Sequence, residues 1–247
     1  MMSKHVLYKG EKGMNKIRLS LLKNNLLCIA VPCLLVCCLT IIGCATKLYS
    51  VNMNYDAEKA NIPEYLKADA KGRNALITIA EFVDTRKVDD QMVIGRVVDK
   101  DGMKTLVLPK YTKPTQAVTS GIKRYLTKAG YKIAGEAGQW NLKEETIPKI
   151  AGKLIIGGNI EEMELTCRKG FPTDSYKTVM KLNLVLADPA KGKILYQTSV
   201  ETNITLEHVS FSEARLEKQI NIAMGDAIEK VFEDRNVAQK LKEVLAE

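Results

Sequence analysis

The chain has 247 residues, 46% of them hydrophobic and 27% charged, a balance that excludes extended disorder and points to one or two globular domains. Its formal charge is +8, but residues 1–43 hold six basic residues against one acid and carry +5 of it, leaving +3 for the rest. Nucleic-acid binders concentrate positive charge on a face, whereas here the remaining basic residues are interspersed with acids, which speaks against nucleic acid as a partner.

The leader comes first. Lys16, Arg18 and Lys23 precede Leu26 to Gly43, 18 residues that are apolar except for Thr40, and the run ends Ile41-Ile42-Gly43-Cys44. Basic, apolar, small residue, cysteine: this order resembles the bacterial lipoprotein signal. The resemblance implies that residues 1–43 are a signal peptide and that Cys44 is acylated and becomes the mature N-terminus. A plain membrane-spanning anchor is the competing reading, since 18 residues is near the minimum that spans a bilayer. Gly43-Cys44 at the end of the run decides between them. Two or more acyl chains would hold the protein stably, at roughly 0.8 kcal/mol per buried methylene, so the membrane is the first expected partner. Ala45, rather than Asp, after the cysteine favours the outer membrane. Met14-Asn15-Lys16-Ile17-Arg18 already makes a complete basic start, so Met14 competes with Met1 as the initiating residue.

Cys28, Cys33, Cys37 and Cys38 belong to the leader, which leaves Cys167 as the only thiol after Cys44. No disulfide framework is available to the folded part. Residues 44–72 carry scattered charges, Pro63 and no sustained period, and are read as the lipidated cysteine and a flexible tether. A flexible chain of this length spans about 30 Å. Residues 73–247 are then the periplasmic domain, expected to fold without the tether.

Within that domain Asn74 to Val83 predicts a buried strand, followed by a polar loop from Asp84 to Gln91. Met92 to Val98 and Thr105 to Leu108 predict two strands about the turn Asp99 to Gly102. Pro114 opens a helix whose apolar stripe is Val118, Ile122, Tyr125, Leu126 and Ala129, and Gly130 closes it. Tyr131 to Ala134 returns as a strand. Gly135 to Pro148, with the only Trp, shows no clear period.

Lys153 to Thr166 predicts a long strand bulged near Glu161-Glu162, because the alternation of Leu154, Ile156 and Ile160 resumes out of phase at Met163 and Leu165. Tyr176 to Leu186 and Ile194 to Ile204 alternate regularly around Asp188 to Gly192, the pattern of an antiparallel meander. Ser210-x-x-Glu213 predicts a capping box before a helix carrying Leu216, Ile220, Ala223, Ala227, Ile228 and Val231. Asn236 to Leu245 adds a second. The expected fold class is α+β: one domain, a mixed and largely antiparallel sheet covered by helices.

Lipobox, Asp84-x-Arg86 after a strand, Ile94-Gly95-Arg96, the helix ending before Gly130-Tyr131, the long Leu154-to-Leu165 strand and a C-terminal helix occur in that order. The set resembles the YajG-like family of bacterial lipoproteins over about residues 74–235. More distantly, it is similar to lipoprotein auxiliary subunits of envelope ABC transport systems. The resemblance implies an envelope lipoprotein without established catalytic chemistry.

Asp84 and Arg86 are the residues whose role is hardest to assign: they can fix their loop by pairing and capping, or face a partner. The loop-fixing role is expected. Gly95 and Gly157-Gly158 predict bulges or close backbone approach. Cys167 and His208 are not brought together by the sequence; the first reads as an inert, half-buried thiol and the second as a solvated loop residue. Glu144-Glu145 and Glu161-Glu162 are neighbours that point apart on a strand, so they form no acid-base dyad. No catalytic residue, cofactor or metal site is expected. Two functions remain: a non-enzymatic lipid-anchored binding or scaffold module docking on an envelope protein through sheet edges or loops, or an accessory lipoprotein of an ABC or lipid transport system. An open apolar cavity between helices and sheet would mark lipid handling, and a filled core would mark docking.

Overall fold

The computed structural model describes residues 47–135, 137–149 and 152–246. The leader and Cys44 lie outside the described residues. Ten strands and three α-helices are found among those described: β1 Tyr49–Val51, β2 Leu76–Glu81, β3 Val83–Asp84, β4 Gly95–Val98, β5 Lys104–Pro109, α1 Pro114–Lys128, β6 Lys132–Ile133, β7 Ala137–Gln139, β8 Leu154–Arg168, β9 Asp174–Asp188, β10 Lys193–His208, α2 Glu213–Glu233 and α3 Arg235–Ala246. The class is α+β, with one mixed sheet, as the patterning predicts.

The sheet is organised by β8. Along one edge it pairs antiparallel with β9 over nearly its whole length, and β9 pairs in turn with β10. The other edge is shared. Its first half pairs in parallel with β2 and β3, and its second half pairs in parallel with β4. The register shifts between Ile160 and Glu162, where the sequence pattern changes phase. Beyond β4 the sheet continues through β5 to β1, and beyond β2 to β6 and β7.

One face of this sheet is covered by the helices, and the intervening layer is a single apolar cluster that includes Ile79, Ile156, Leu165, Leu184, Ile122, Ile228 and Leu241. Helix α1 matches its predicted bounds, with Pro114 in its first turn and Gly130 after it at φ 94°. Helix α2 begins later than the capping-box reading requires. Ser212, not Ser210, is the cap, and its side chain accepts from the Arg215 N–H.

Two departures from the sequence reading matter more. First, residues 47–72 are no free tether. Strand β1 pairs in parallel with β5, and Tyr49, Val51, Met53, Tyr55 and Leu66 are all buried. Side chains of α2 grip the backbone: Glu217 accepts from the Asn52 N–H at 2.9 Å, and Asn221 donates to the Asn52 carbonyl at 2.9 Å. Helix α1 approaches the segment closely at Gly121, where a Cβ would stand 3.2 Å from Tyr55 and closer still to Ile228. The segment alternates at Tyr49, Val51, Met53 and Tyr55, a strand period that its scattered charges mask.

Second, Gly135 to Pro148 builds a small second core on the other face. Trp140 is 1% exposed and packs with Ala80, Ile147, Ile155, Val185 and Ala187. Gly157 makes this fit, because a Cβ there would lie 2.6 Å from the indole ring. One end of the sheet is therefore covered on both faces.

If residues 47–72 are part of the folded unit, Leu66→Ala should cost about 2–5 kcal/mol, and a chain starting at residue 73 should lose far more stability. Urea denaturation checks both. Unchanged midpoints would return the segment to a tether.

Candidate functional site

Cys44, the expected lipidation site, lies outside the described residues. The other two candidates, Asp84 and Arg86, stand at the end of β3 and just beyond it, where the shared edge of β8 changes partner. Their side chains are 7% and 2% exposed and pair at 2.7 Å. The Arg86 Nε donates to Asp84 Oδ1 at 2.9 Å, and the Arg86 backbone N–H donates to the same oxygen at 3.1 Å. The guanidinium also donates to the carbonyls of Gln91, Val93 and Met163. Gln91 returns a bond from Nε2 to the Asp84 carbonyl.

The carboxylate thus holds the turn and the guanidinium at once, and the guanidinium ties the loop's far end to β8. Bidentate pairing with carbonyls on the remaining donors uses the full planar fork of arginine, which lysine could not reproduce. Neither side chain presents a free face to a ligand.

A polar row beside this pair was not visible in the sequence. The Thr85 hydroxyl donates to the Ile160 carbonyl at 3.1 Å and accepts from Asn159 Nδ2 at 2.7 Å; Asn183 Nδ2 donates to Asn159 Oδ1 at 2.8 Å; and Gln197 Nε2 donates to Asn183 Oδ1 at 3.0 Å. The row crosses β8, β9 and β10 and satisfies buried amides whose desolvation would otherwise be costly. Asn159 and Asn183 are directly opposite in register, a pairing that requires the fold to be known.

Cys167 is fully buried rather than half-buried. Burial pushes its thiol up to about 11, despite a hydrogen bond with Tyr176. Tyr176 is itself pushed up to about 12, chiefly by burial. His208 is the last residue of β10 rather than a loop residue, and its ring meets Tyr176 edge-on with centroids 5.3 Å apart. Cysteine and histidine therefore share a neighbour, but the environment favours the thiol over the reactive thiolate.

The remaining candidates are structural. A Cβ at Gly95 would meet the Leu165 carbonyl oxygen, and one at Gly158 would meet the Asn183 carbonyl oxygen and the Phe82 ring. Glu161 pairs with Lys181 at 2.8 Å, and Glu144 accepts from the Ile194 N–H at 2.9 Å. Among the described residues no group of three or more His, Cys, Asp or Glu could hold a metal ion. No described helix is long and apolar enough to cross a membrane.

What the molecule does present is an edge and an end. β10 spans Lys193–His208 and pairs only with β9 among the described residues. Gln197, Ser199, Glu201, Asn203 and Thr205 are exposed along it, and it contains no proline to block further pairing.

No family model matches the chain, and no curated protein matches it in sequence. Solved structures similar to it include a Xanthomonas campestris protein, XCC0632, of family model DUF330, at 11% identity and TM-score 0.48, covering 80% of this chain and 98% of that one. Lipoprotein GNA1162 from Neisseria meningitidis is similar at 12% identity and TM-score 0.32, covering 62% and 96% respectively. A minor lipoprotein from Acinetobacter baumannii is similar at 10% identity and TM-score 0.34, covering 67% and 92%.

Breaking the buried pair should cost about 3–5 kcal/mol, because either single substitution strands a charge or its hydrogen-bonding partners. Asp84→Ala and Arg86→Ala should be strongly non-additive in a double-mutant cycle read by urea denaturation. Additive, near-neutral losses would show that the loop does not depend on the pair.

Cys167 gives a second expectation. With its thiol raised to about 11, alkylation of the native protein should be negligible from pH 7 to 9 and become rapid only on unfolding. Mass spectrometry of iodoacetamide-treated samples reads this directly. Fast native labelling at pH 8 would refute a buried, protonated thiol.

Proposed function

We propose that the protein is a lipid-anchored, non-enzymatic module of the bacterial envelope. Acyl chains on Cys44 hold it in the membrane, and it binds another envelope protein along the free edge of β10. The observation that carries the binding reading is the filled layer between helices and sheet. Ile122, Leu126, Ile220, Met224 and Phe232 meet Ile156, Leu182 and Leu184 in one continuous cluster, each with no exposed surface. A lipid carrier needs an open apolar cavity in that place.

The edge supplies what docking requires. An extended segment can add to an unpaired strand through main-chain hydrogen bonds, with alternate side chains setting specificity. The polar exposed side chains of β10 keep the edge soluble. Anchoring is supported by the Ile41-Ile42-Gly43-Cys44 boundary, the outer membrane by Ala45, and the envelope setting by the ordered motifs shared with YajG-like lipoproteins. An accessory role in an ABC or lipid transport system fits only as docking on such a machine.

One experiment addresses both parts. Cells fed a labelled fatty acid should mark the wild-type protein and not Cys44→Ser. In the same cells, photo-crosslinkers placed at Ser199 and Asn203 should give one discrete adduct that Lys132, an exposed site away from β10, does not give. Label on Cys44→Ser would sink the anchor, and adducts independent of position would sink the edge.

A further inference from the structure

Strands β10, β9, β8, β4 and β5 end together on one side, and the chain enters β1 from the same side. There the chain makes the β4–β5 turn after Val98, the β8–β9 turn after Arg168, and the exit from β10 after His208. The register places them in a row: Val98 is opposite Arg168 and Lys104, and Asp174 is opposite His208. With strands about 4.8 Å apart, the row is about 24 Å long.

Each of these ends carries a large apolar side chain in the open. Met103 is 66% exposed, Phe171 91% and Val209 84%. Leu48, at the start of β1, is 50% exposed. None of the four is required by the core. Of the ten exposed large apolar side chains among the described residues, these four and Leu106 and Leu206 lie towards this end, a concentration that calls for an occupant.

The chain itself indicates which one. β1 runs parallel to β5, with Tyr49 opposite Val107, so Lys47 emerges at the same end, level with the start of β5. Cys44 lies three residues earlier in sequence, a reach of about 10 Å at most. The acyl chains proposed on Cys44 would therefore enter the bilayer within reach of this row. We propose that the row Leu48, Met103, Phe171 and Val209 is a membrane-contact edge that seats the protein end-on against phospholipid. This inference rests on the anchor reading.

The surrounding charges suit a phospholipid interface. Lys47, Lys100, Lys104 and Arg168 are exposed at this end, against exposed Asp101 and Glu207, while Asp99 is matched by Lys169 at 2.8 Å. Long basic side chains can reach phosphate groups as neighbouring apolar residues enter the acyl boundary.

The test uses the full-length mature lipoprotein in vesicles of phosphatidylethanolamine with a minor share of phosphatidylglycerol, with and without brominated acyl chains. Phe171→Trp places an emitter on the row. Tyr111→Trp places one at the far end of β5, where Tyr111 is 73% exposed and about 20 Å away. Trp140 is 1% exposed and supplies the background in both.

At interfacial depths of 5–10 Å, the emission added by Phe171→Trp should be quenched roughly two-fold or more by brominated lipid, and that of Tyr111→Trp hardly at all. Fatty-acid labelling of the same preparations reports the anchor separately. Labelled, vesicle-bound protein in which both positions are equally unquenched overturns the contact edge and leaves the anchor standing. Absence of label at Cys44 overturns the anchor itself and, with it, the reason for this row to meet a membrane.

Discussion

The fold depends on how β8 divides one edge between two sets of partners. A strand of 15 residues that pairs with β2 and β3 early and with β4 late must leave a gap where the partners change. The register shift after Ile160 turns the strand at that gap, and Arg86 fills it by donating to the Met163 carbonyl. A guanidinium in this position is expensive to desolvate unless every donor is met. Asp84, only two residues away, matches the charge and takes two of the five donors locally. The pair can therefore form with the loop and then fix Gln91, Val93 and β8 around it. This makes Asp84 and Arg86 part of the architecture of the strand exchange, and their near-complete burial argues against direct partner contact.

The two faces of the sheet follow from the same division. Where β8 pairs with β2, the sheet is extended by β6 and β7, and the following segment folds back to place Trp140 over Gly157. Residues Lys181 to Ala187 of β9 are accordingly buried on both faces at that end, except for partly exposed Lys181. Beyond the bulge no described residue covers the second face, and Glu162, Glu164, Thr166 and Lys177 line a shallow polar surface there. The Thr85, Asn159, Asn183 and Gln197 row lies between these regimes. Side-chain amides there bond to one another where neither apolar cover nor bulk water is complete.

Long-period features were legible in the sequence because a single physical rule controls each of them. Alternation from Tyr176 to Leu186 fixes a strand facing a core; the phase change after Ile160 fixes a bulge; Pro114 and Gly130 bound a helix. Short or irregular features failed where tertiary contacts outweigh local preference. β1 has only three residues, and its alternation from Tyr49 to Tyr55 is stabilised by α2 rather than by its own composition. Trp140 is buried by a glycine 17 positions later. Ser210 carries the capping-box signal, but Ser212 caps α2, and the Ser210 hydroxyl accepts from the Arg215 guanidinium instead. At the candidate site the residue types at 84 and 86 announced a pair, but the three carbonyls that Arg86 gathers are set by topology.

The ordered segment before residue 73 also changes what an anchor on Cys44 would do. A flexible tether of 28 residues would let the domain wander about 30 Å from the bilayer and present any surface to a partner. With β1 paired from Tyr49 onward, the leash shrinks to the few residues before Lys47, roughly 10 Å. With such an anchor the strands would stand with one end towards the lipid, and the free edge of β10 would rise away from the membrane instead of lying against it. A partner would meet that edge laterally, with both molecules held near one surface. Restricting orientation in this way raises the effective concentration of the correct encounter without any added contact, provided the partner is itself tied to the same envelope layer. The strap along α2 would thus couple the protein's attachment to the direction in which its binding edge faces.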